Sequence, residues 1–270
     1  MSVQLSTLWD FGNPDLSEQR FRAALASAST NDALILHTQI ARTFGLRRNF
    51  AEAQAILFEI TSQLEAASPE VQVRYYLELG RTFVSATHPP ETQTTAALEQ
   101  ARSNYTKAFQ LAEQAQLDAL AIDTLHMLAF VDSDPEGQIK WNSHAIAHMK
   151  ASTQAEAKRW AGALYNNLGY ALHQLGRYDE ALSAFQQALK AHEQTGNSGN
   201  IRAAHWMIAW TLRAMHRLND ALEIQLRLEK ECDEAGEPDS YVFEELELLY
   251  QALNNPERAE FYAARRAKLP

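Results

Sequence analysis

The sequence predicts an all-α fold, a right-handed α-solenoid of about six helical hairpins with a capping helix at its N-terminus. Three observations carry this. The 270 residues hold only 10 Gly and 8 Pro, and are rich in the helix formers Ala, Leu, Glu and Gln. Apolar residues recur at helical spacing in paired segments joined by short breaks. The paired pattern then returns about every 40 residues, the mark of a repeat architecture.

The clearest pair runs from Gly162 to Leu189. Tyr165, Leu168, Gly169 and Leu172 share one helical face, and Tyr178, Ala181, Phe185, Ala188 and Leu189 share another. Between them Gly176 suits the left-handed conformation that ends a helix. Gly169 and Ala181 are small where the two helices would cross, so the backbones can approach closely. The run Tyr165-x2-Leu168-Gly169-x2-Leu172 followed by Ala181-x3-Phe185 resembles the tetratricopeptide repeat, whose signature places an apolar residue, Leu-Gly, an aromatic or Leu, and Ala-x3-Phe in this order.

The pattern recurs on both sides. Downstream, Ile208, Ala209, Leu212 and Ala221 repeat it, then Phe243, Leu246, Tyr250 and Ala259. Upstream, Ile40, Ala41, Phe44, Phe50, Ala53 and Leu57 fit without gaps. Tyr76, Leu79, Gly80 and Phe83 fit a further first helix. Its second helix, with Ala101, Tyr105 and Ala108, arrives late, after an extra stretch from Thr87 to Thr95 expected to be an ordered loop or a helix extension. The pair between fits least well. Leu125, Leu128 and Ala129 suit its first helix and Ile139, Ala145 and Ile146 its second, but Gln138 stands where a small residue is expected. The spacing exceeds the family's usual 34 residues, and the proline that often closes a repeat is mostly absent.

The boundaries expected are 1–30 for an N-terminal cap and helix, then one continuous domain over 31–270. Its repeats run 31–66, 69–115, 117–150, 155–195, 199–235 and 238–268. Asn13-Pro14 marks the start of the first helix, and Trp9 and Phe11 are placed to cover the first hairpin's apolar edge, since a solenoid end needs a cap. The basic helix from Arg258 to Lys268 suits the other end.

A net charge of −10 repels phosphate backbones and acidic membrane surfaces, so neither nucleic acid nor membrane is an expected partner. No stretch approaches the ~20 apolar residues of a membrane span. The single cysteine, Cys232, excludes an intrachain disulfide, and residues 1–9 do not read as a secretory signal. A cytoplasmic location is the expectation.

Stacked hairpins of this kind present their first helices to a concave groove. Transferring the family's register places Arg42, Arg74 and Arg81 there in the N-terminal half, followed by Asp123 and His126. The C-terminal half offers Asn166, Tyr170, Trp206, Trp210, Tyr241 and Glu244. Arginines grip carboxylates bidentately, and aromatic residues anchor apolar groups. The expected partner is therefore a protein or peptide with an acidic segment and a hydrophobic anchor. An equally open reading has Trp206 and Trp210, spaced i,i+4, packing between repeats, and the arginines paired with Glu78 and similar acids.

Catalytic patterns are missing: no His-Glu-x-x-His, no phosphate loop, no Gly-x-Ser-x-Gly elbow. His144 and His148 share a helix face without a third ligand, and Asp123 and His126 have no nucleophile beside them. Glu231, Asp233 and Glu234 around Cys232 disfavour its thiolate. No catalytic residue, cofactor or metal is expected. The functional expectation is a non-enzymatic adaptor or scaffold that binds through its groove. The alternative is a ligand- or signalling-peptide-sensing module acting on a separate effector, and self-association is left open.

Overall fold

The computed structural model describes residues 3–269, among which every regular element is helical. Met1 and Ser2, where the N-terminal segment begins, and Pro270 lie outside the described residues. The chain divides into two compact units, Met1–Lys158 and Arg159–Pro270.

The first unit opens with a short α1 (Leu5–Leu8) and α2 (Pro14–Leu25), then three hairpins. These are α3 (Thr30–Leu46) with α4 (Phe50–Ile60), α5 (Pro69–Arg81) with α6 (Thr95–Gln114), and α7 (Asp118–Val131) with α8 (Pro135–Ala151); a one-turn α9 (Ala155–Lys158) follows. The second unit contains α10 (Ala161–Gln174) with α11 (Tyr178–Thr195), α12 (Ser198–Ala214) with α13 (Leu218–Ala235), and α14 (Ser240–Ala252) with α15 (Pro256–Arg266). No helix of the described residues is long and apolar enough to cross a membrane.

Local chemistry explains where the helices begin. Asn13 accepts a hydrogen bond from Leu16 N with Pro14 at the first helical position, and Asn255 does the same for Arg258 N ahead of Pro256. Ser29, Thr94, Asp134, Asn197 and Asp239 cap five further helices with their side-chain oxygens.

Four hairpin turns share one closure. In each, the third residue past the helix donates its N–H back across the last turn: Asn49 to Phe44 O, Arg177 to Leu172 O, Arg217 to Leu212 O and Asn255 to Tyr250 O. Each needs a left-handed residue just before the donor. Glycine supplies it once, at Gly176 (φ 71°), while Arg48, His216 and Asn254 adopt it at φ 64°, 59° and 56°.

Small residues set the helix crossings. A Cβ on Gly80 would lie 2.5 Å from Cε1 of Tyr105, and one on Gly169 would lie 2.6 Å from Cε1 of Phe185. Both rings are fully buried, so each hairpin closes around an aromatic ring seated on a bare backbone. The Tyr105 hydroxyl completes its contact by donating to Val84 O.

The inserted stretch before α6 is ordered. His88 is stacked on Phe50 at 3.8 Å between ring centroids, its Nδ1 meets Ser85 Oγ at 2.9 Å, and a 3-10 turn spans Pro90–Thr92. At the N-terminal end Trp9 packs edge-on against the buried Phe21 and donates from Nε1 to Gln39 Oε1 at 3.0 Å. It thereby joins the cluster of Phe21, Leu36 and Ile40. Phe11 stacks on Trp9 but stays 60% exposed. The α7–α8 hairpin compensates for its weak signature by burial: α7 is covered almost all round, from Ala121 to Leu125 and again at Met127, Leu128, Ala129 and Val131.

Candidate functional site

The first unit gathers Arg42, Arg74, Arg81, Asp123 and His126, contributed by α3, α5 and α7. Glu78, one turn before Arg81 on α5, sits at the centre with 3% of its side chain exposed. Its Oε1 accepts from Arg81 Nη1 at 2.6 Å and lies 3.7 Å from Arg42 Nη1. Arg81 Nη2 reaches across to Asp123 Oδ1, and Arg74 pairs with Glu70 at 2.9 Å. Three guanidinium groups thus face three carboxylates of their own unit. Burial raises the Asp123 carboxyl, but Arg81 and then Arg42 outweigh it and hold the group below its ordinary value. Burial lowers Arg81 in turn, yet Asp123 and Glu78 leave it above the usual guanidinium value. Arg42 is held less well: burial and Arg81 push it down, and its Nε and Glu78 Oε2 have no hydrogen-bond partner among the described residues. Its guanidinium instead rests 5.4 Å from the Phe11 ring and 5.6 Å from Trp9. His126, lowered by burial, packs edge-on against Phe130 at 5.3 Å.

The arrangement is a charge network closed within the unit rather than an open cationic patch. Paired charges at this depth are costly to desolvate and costlier to separate. His144 and His148 lie elsewhere, on α8, beside Phe109, with His148 Nε2 3.7 Å from Asp118 Oδ1.

The second unit places aromatic side chains in a row along the face made by α10, α12 and α14. Tyr170 is stacked on Trp210 at 6.0 Å, Trp210 on Trp206 at 5.9 Å, and Trp206 meets Tyr241 edge-on at 6.2 Å. Tyr170 is 44% exposed and Tyr241 65%. Trp206 is oriented by its Nε1, which donates to Tyr241 O at 3.1 Å. Sequence reasoning missed His173, whose ring lies on Trp210 at 3.3 Å. Its position three residues after Tyr170 on the same helix was the available signal. Burial, with Arg213 nearby, pushes its pKa down to about 4. Glu244 is drawn off toward α15, where it pairs with Arg266 at 3.0 Å.

Beside Trp206 and Tyr241 opens a cavity of about 500 Å³. Leu228, Cys232, Met207 and Val242 line it with apolar surface, and Asn166, Arg202 and Asp239 add polar groups. Of the residues predicted for the groove, the cavity therefore brings together Asn166, Trp206 and Tyr241; Tyr170 and Trp210 extend the row away from it. Arg202 and Asp239 were not singled out, because they stand four residues before Trp206 and two before Tyr241, off the register positions taken from the family. Asn166 comes from α10, Arg202 from α12 and Asp239 caps α14.

Helical hairpins of this form, stacked in succession with crossings relieved by glycine, define a helical-repeat protein. Residues 160–229 match the family model of the tetratricopeptide repeat. No curated protein matches it by sequence. Among solved structures it is similar to a signal transduction ATPase with numerous domains from Pyrococcus horikoshii, described as having a tetratricopeptide repeat sensor, with a TM-score of 0.71 and 12% identity over 95% of this chain. This chain spans only 39% of that ATPase. It is also similar to the apo form of RapI, with a TM-score of 0.73 and 11% identity over 97% of this chain and 74% of RapI. A Rap protein complexed with competence and sporulation factor gives a TM-score of 0.55 at 15% identity, over 93% of this chain and 78% of the Rap chain. These likenesses are of fold.

Proposed function

We propose that the chain is a non-enzymatic binding protein that holds a peptide, or an exposed segment of a partner protein, on the first-helix face of its second unit. The observation that carries this is the aromatic row Tyr170, Trp210, Trp206 and Tyr241, whose members are spaced at about 6 Å and leave two tyrosines in solvent. Tyr and Trp bury large area at low entropic cost and dominate binding hot spots. A row of them left uncovered has its partner outside the chain. The similarity in fold to a Rap protein complexed with competence and sporulation factor supports the same reading.

This reading sets the site apart from the arginines. Arg42, Arg74 and Arg81 already face Glu78, Glu70 and Asp123, so the expectation of an acidic partner segment loses its support, while the hydrophobic anchor keeps it. An adaptor role follows if the partner is a protein, and a cytoplasmic location belongs to the same reading. The 500 Å³ cavity favours a second role, sensing of a short signalling ligand, because that volume lies within the range of small-ligand sites.

The test is a selection of random seven-residue peptides on the full chain, followed by affinity measurement on the wild type and on Tyr170→Ala/Tyr241→Ala. Both tyrosines are exposed enough for the variant to fold. The expected result is enrichment of a peptide family that the double variant binds at least about tenfold more weakly, the loss of a hot-spot pair. Peptides bound equally by both proteins would place recognition elsewhere and refute the aromatic row as the site.

A further inference from the structure

The cavity beside Trp206 and Tyr241 carries a charge balance that the aromatic row alone does not explain. Arg202 is the one cation in its lining, and it is already engaged: Nη2 donates to Glu237 Oε2 at 2.9 Å. That hydrogen bond outweighs burial and, with the nearby charges of Glu237 and Asp239 adding to it, holds the guanidinium above the ordinary value. Glu237 and Asp239 thus share the one guanidinium of Arg202, which leaves this wall of the cavity with one negative charge in excess. Asp239 Oδ1 accepts from Tyr241 N at 2.8 Å, the cap of α14, and this bond satisfies part of the carboxylate without neutralising it.

Three candidate occupants can be compared against this balance. A carboxylate would have to displace Glu237 from Arg202 and then lie beside Asp239, a like charge. A purely apolar side chain would strip water from Asp239 and return nothing. A side chain with an aliphatic stem and a cationic end meets every wall. Its methylenes lie on Leu228, Cys232, Met207 and Val242, its charge reaches Asp239, and the Trp206 and Tyr241 rings flank it as cation–π partners.

We propose that this cavity receives an arginine or lysine side chain of the partner peptide, with Asp239 as its counter-ion and Asn166 placed to bind the peptide main chain. The proposal rests on the reading of the aromatic row as a peptide site and names the chemistry that the site selects.

Two properties of the chain make it testable. Cys232, the single thiol, lines the cavity and is buried, and burial pushes its pKa up, so its slow alkylation by iodoacetamide at alkaline pH reports access to the cavity. Asp239→Asn removes the charge while keeping a side chain that caps α14 equally well. The experiment takes the peptides selected on the full chain and measures their affinity for the wild type and Asp239→Asn, together with the rate of Cys232 alkylation.

The expected result is a basic residue at a fixed position, about tenfold weaker binding when norleucine replaces it, loss of that difference in Asp239→Asn, and slowed alkylation of Cys232 in the complex. Selected peptides without a basic residue, or with Asp or Glu at the fixed position, would overturn the proposal. So would basic peptides whose affinity ignores Asp239→Asn; where Cys232 reacts too slowly to follow, this comparison alone decides. Peptides that depend on Tyr170 and Tyr241 but leave Cys232 unprotected would overturn the cavity assignment and leave the aromatic row standing. Selection of no peptide at all would defeat both.

Discussion

Arg81 is the residue on which the first unit's charge network turns, and Arg81→Met tests it most directly. Methionine keeps much of the apolar stem and deletes the guanidinium. Glu78, 3% exposed, then loses its 2.6 Å partner and retains only Arg42 at 3.7 Å. Asp123 loses the partner that holds its carboxyl below the ordinary value. Removing one member of a buried pair costs about 3–5 kcal/mol, because the other is left charged without water. At about 2–4 °C per kcal/mol for a unit of this size, the melting transition of the first unit should fall by roughly 6–20 °C, read by circular dichroism on the full chain. The loss must also depend on pH in one direction. The folded pKa of Asp123 is depressed below the unfolded value of about 3.9, so its contribution is present above that value and is lost as pH falls through the folded pKa. The deficit of Arg81→Met should therefore be full at neutral pH and shrink in strong acid. Adding Glu78→Gln and Asp123→Asn should recover much of it, since neutral amides are cheaper to bury than lone carboxylates. A melting temperature within about 2 °C of wild type at neutral pH, or a deficit of equal size at every pH, would refute the reasoning.

Gly169→Leu should destabilise the second unit by about 1–3 kcal/mol, because its Cβ would sit 2.6 Å from the fully buried Phe185 ring; an unchanged melting temperature would contradict the crossing geometry. His216→Gly should stabilise by about 0.5–1 kcal/mol, since His216 is held at φ 59° in a turn that Gly176 makes without strain. A lower melting point for that variant would show that the turn imposes no strain on histidine. His173, with its folded pKa near 4 against about 6.5 unfolded, binds its proton more readily in the unfolded chain between those values. Stability of the second unit should therefore decline as pH falls from about 6.5 toward 4, and His173→Phe, which keeps a ring on Trp210, should flatten that slope in acid-titrated unfolding curves.

The helices were legible because two signals coincide in most of them. Gly169 and Phe185 are spaced as the family signature demands, and the structure shows that the spacing records a ring seated on a bare backbone. The turns were legible only where glycine stands. Arg48, His216 and Asn254 adopt the conformation of Gly176, but the hydrogen bond that enforces it lies in the backbone and leaves no mark on the side chain. The aromatic row could be read from register, since Tyr170, Trp206, Trp210 and Tyr241 all fall on the first-helix face. The state of the arginines could not. Whether Arg81 faces solvent or Asp123 depends on how α5 approaches α7, and a distance between residues 42 positions apart in sequence is absent from any local pattern.

The same register positions therefore do opposite things in the two units, and the difference is one of compensation. In the first unit, charged groups occupy the face, and burying charge is tolerable only when each finds its partner; the chain supplies Glu70, Glu78 and Asp123 for that purpose, and the network consumes its own binding capacity. In the second, aromatic groups occupy it. Rings need no partner to be tolerated at a surface, so Tyr170 and Tyr241 can stand exposed while Trp206 and Trp210 stay ordered between them. Groups that remain uncompensated within the chain are those with free energy left to gain from another molecule. By that criterion the aromatic row, together with Asp239 at the cavity, is where a partner adds most, and the arginine network is what a partner would have to break.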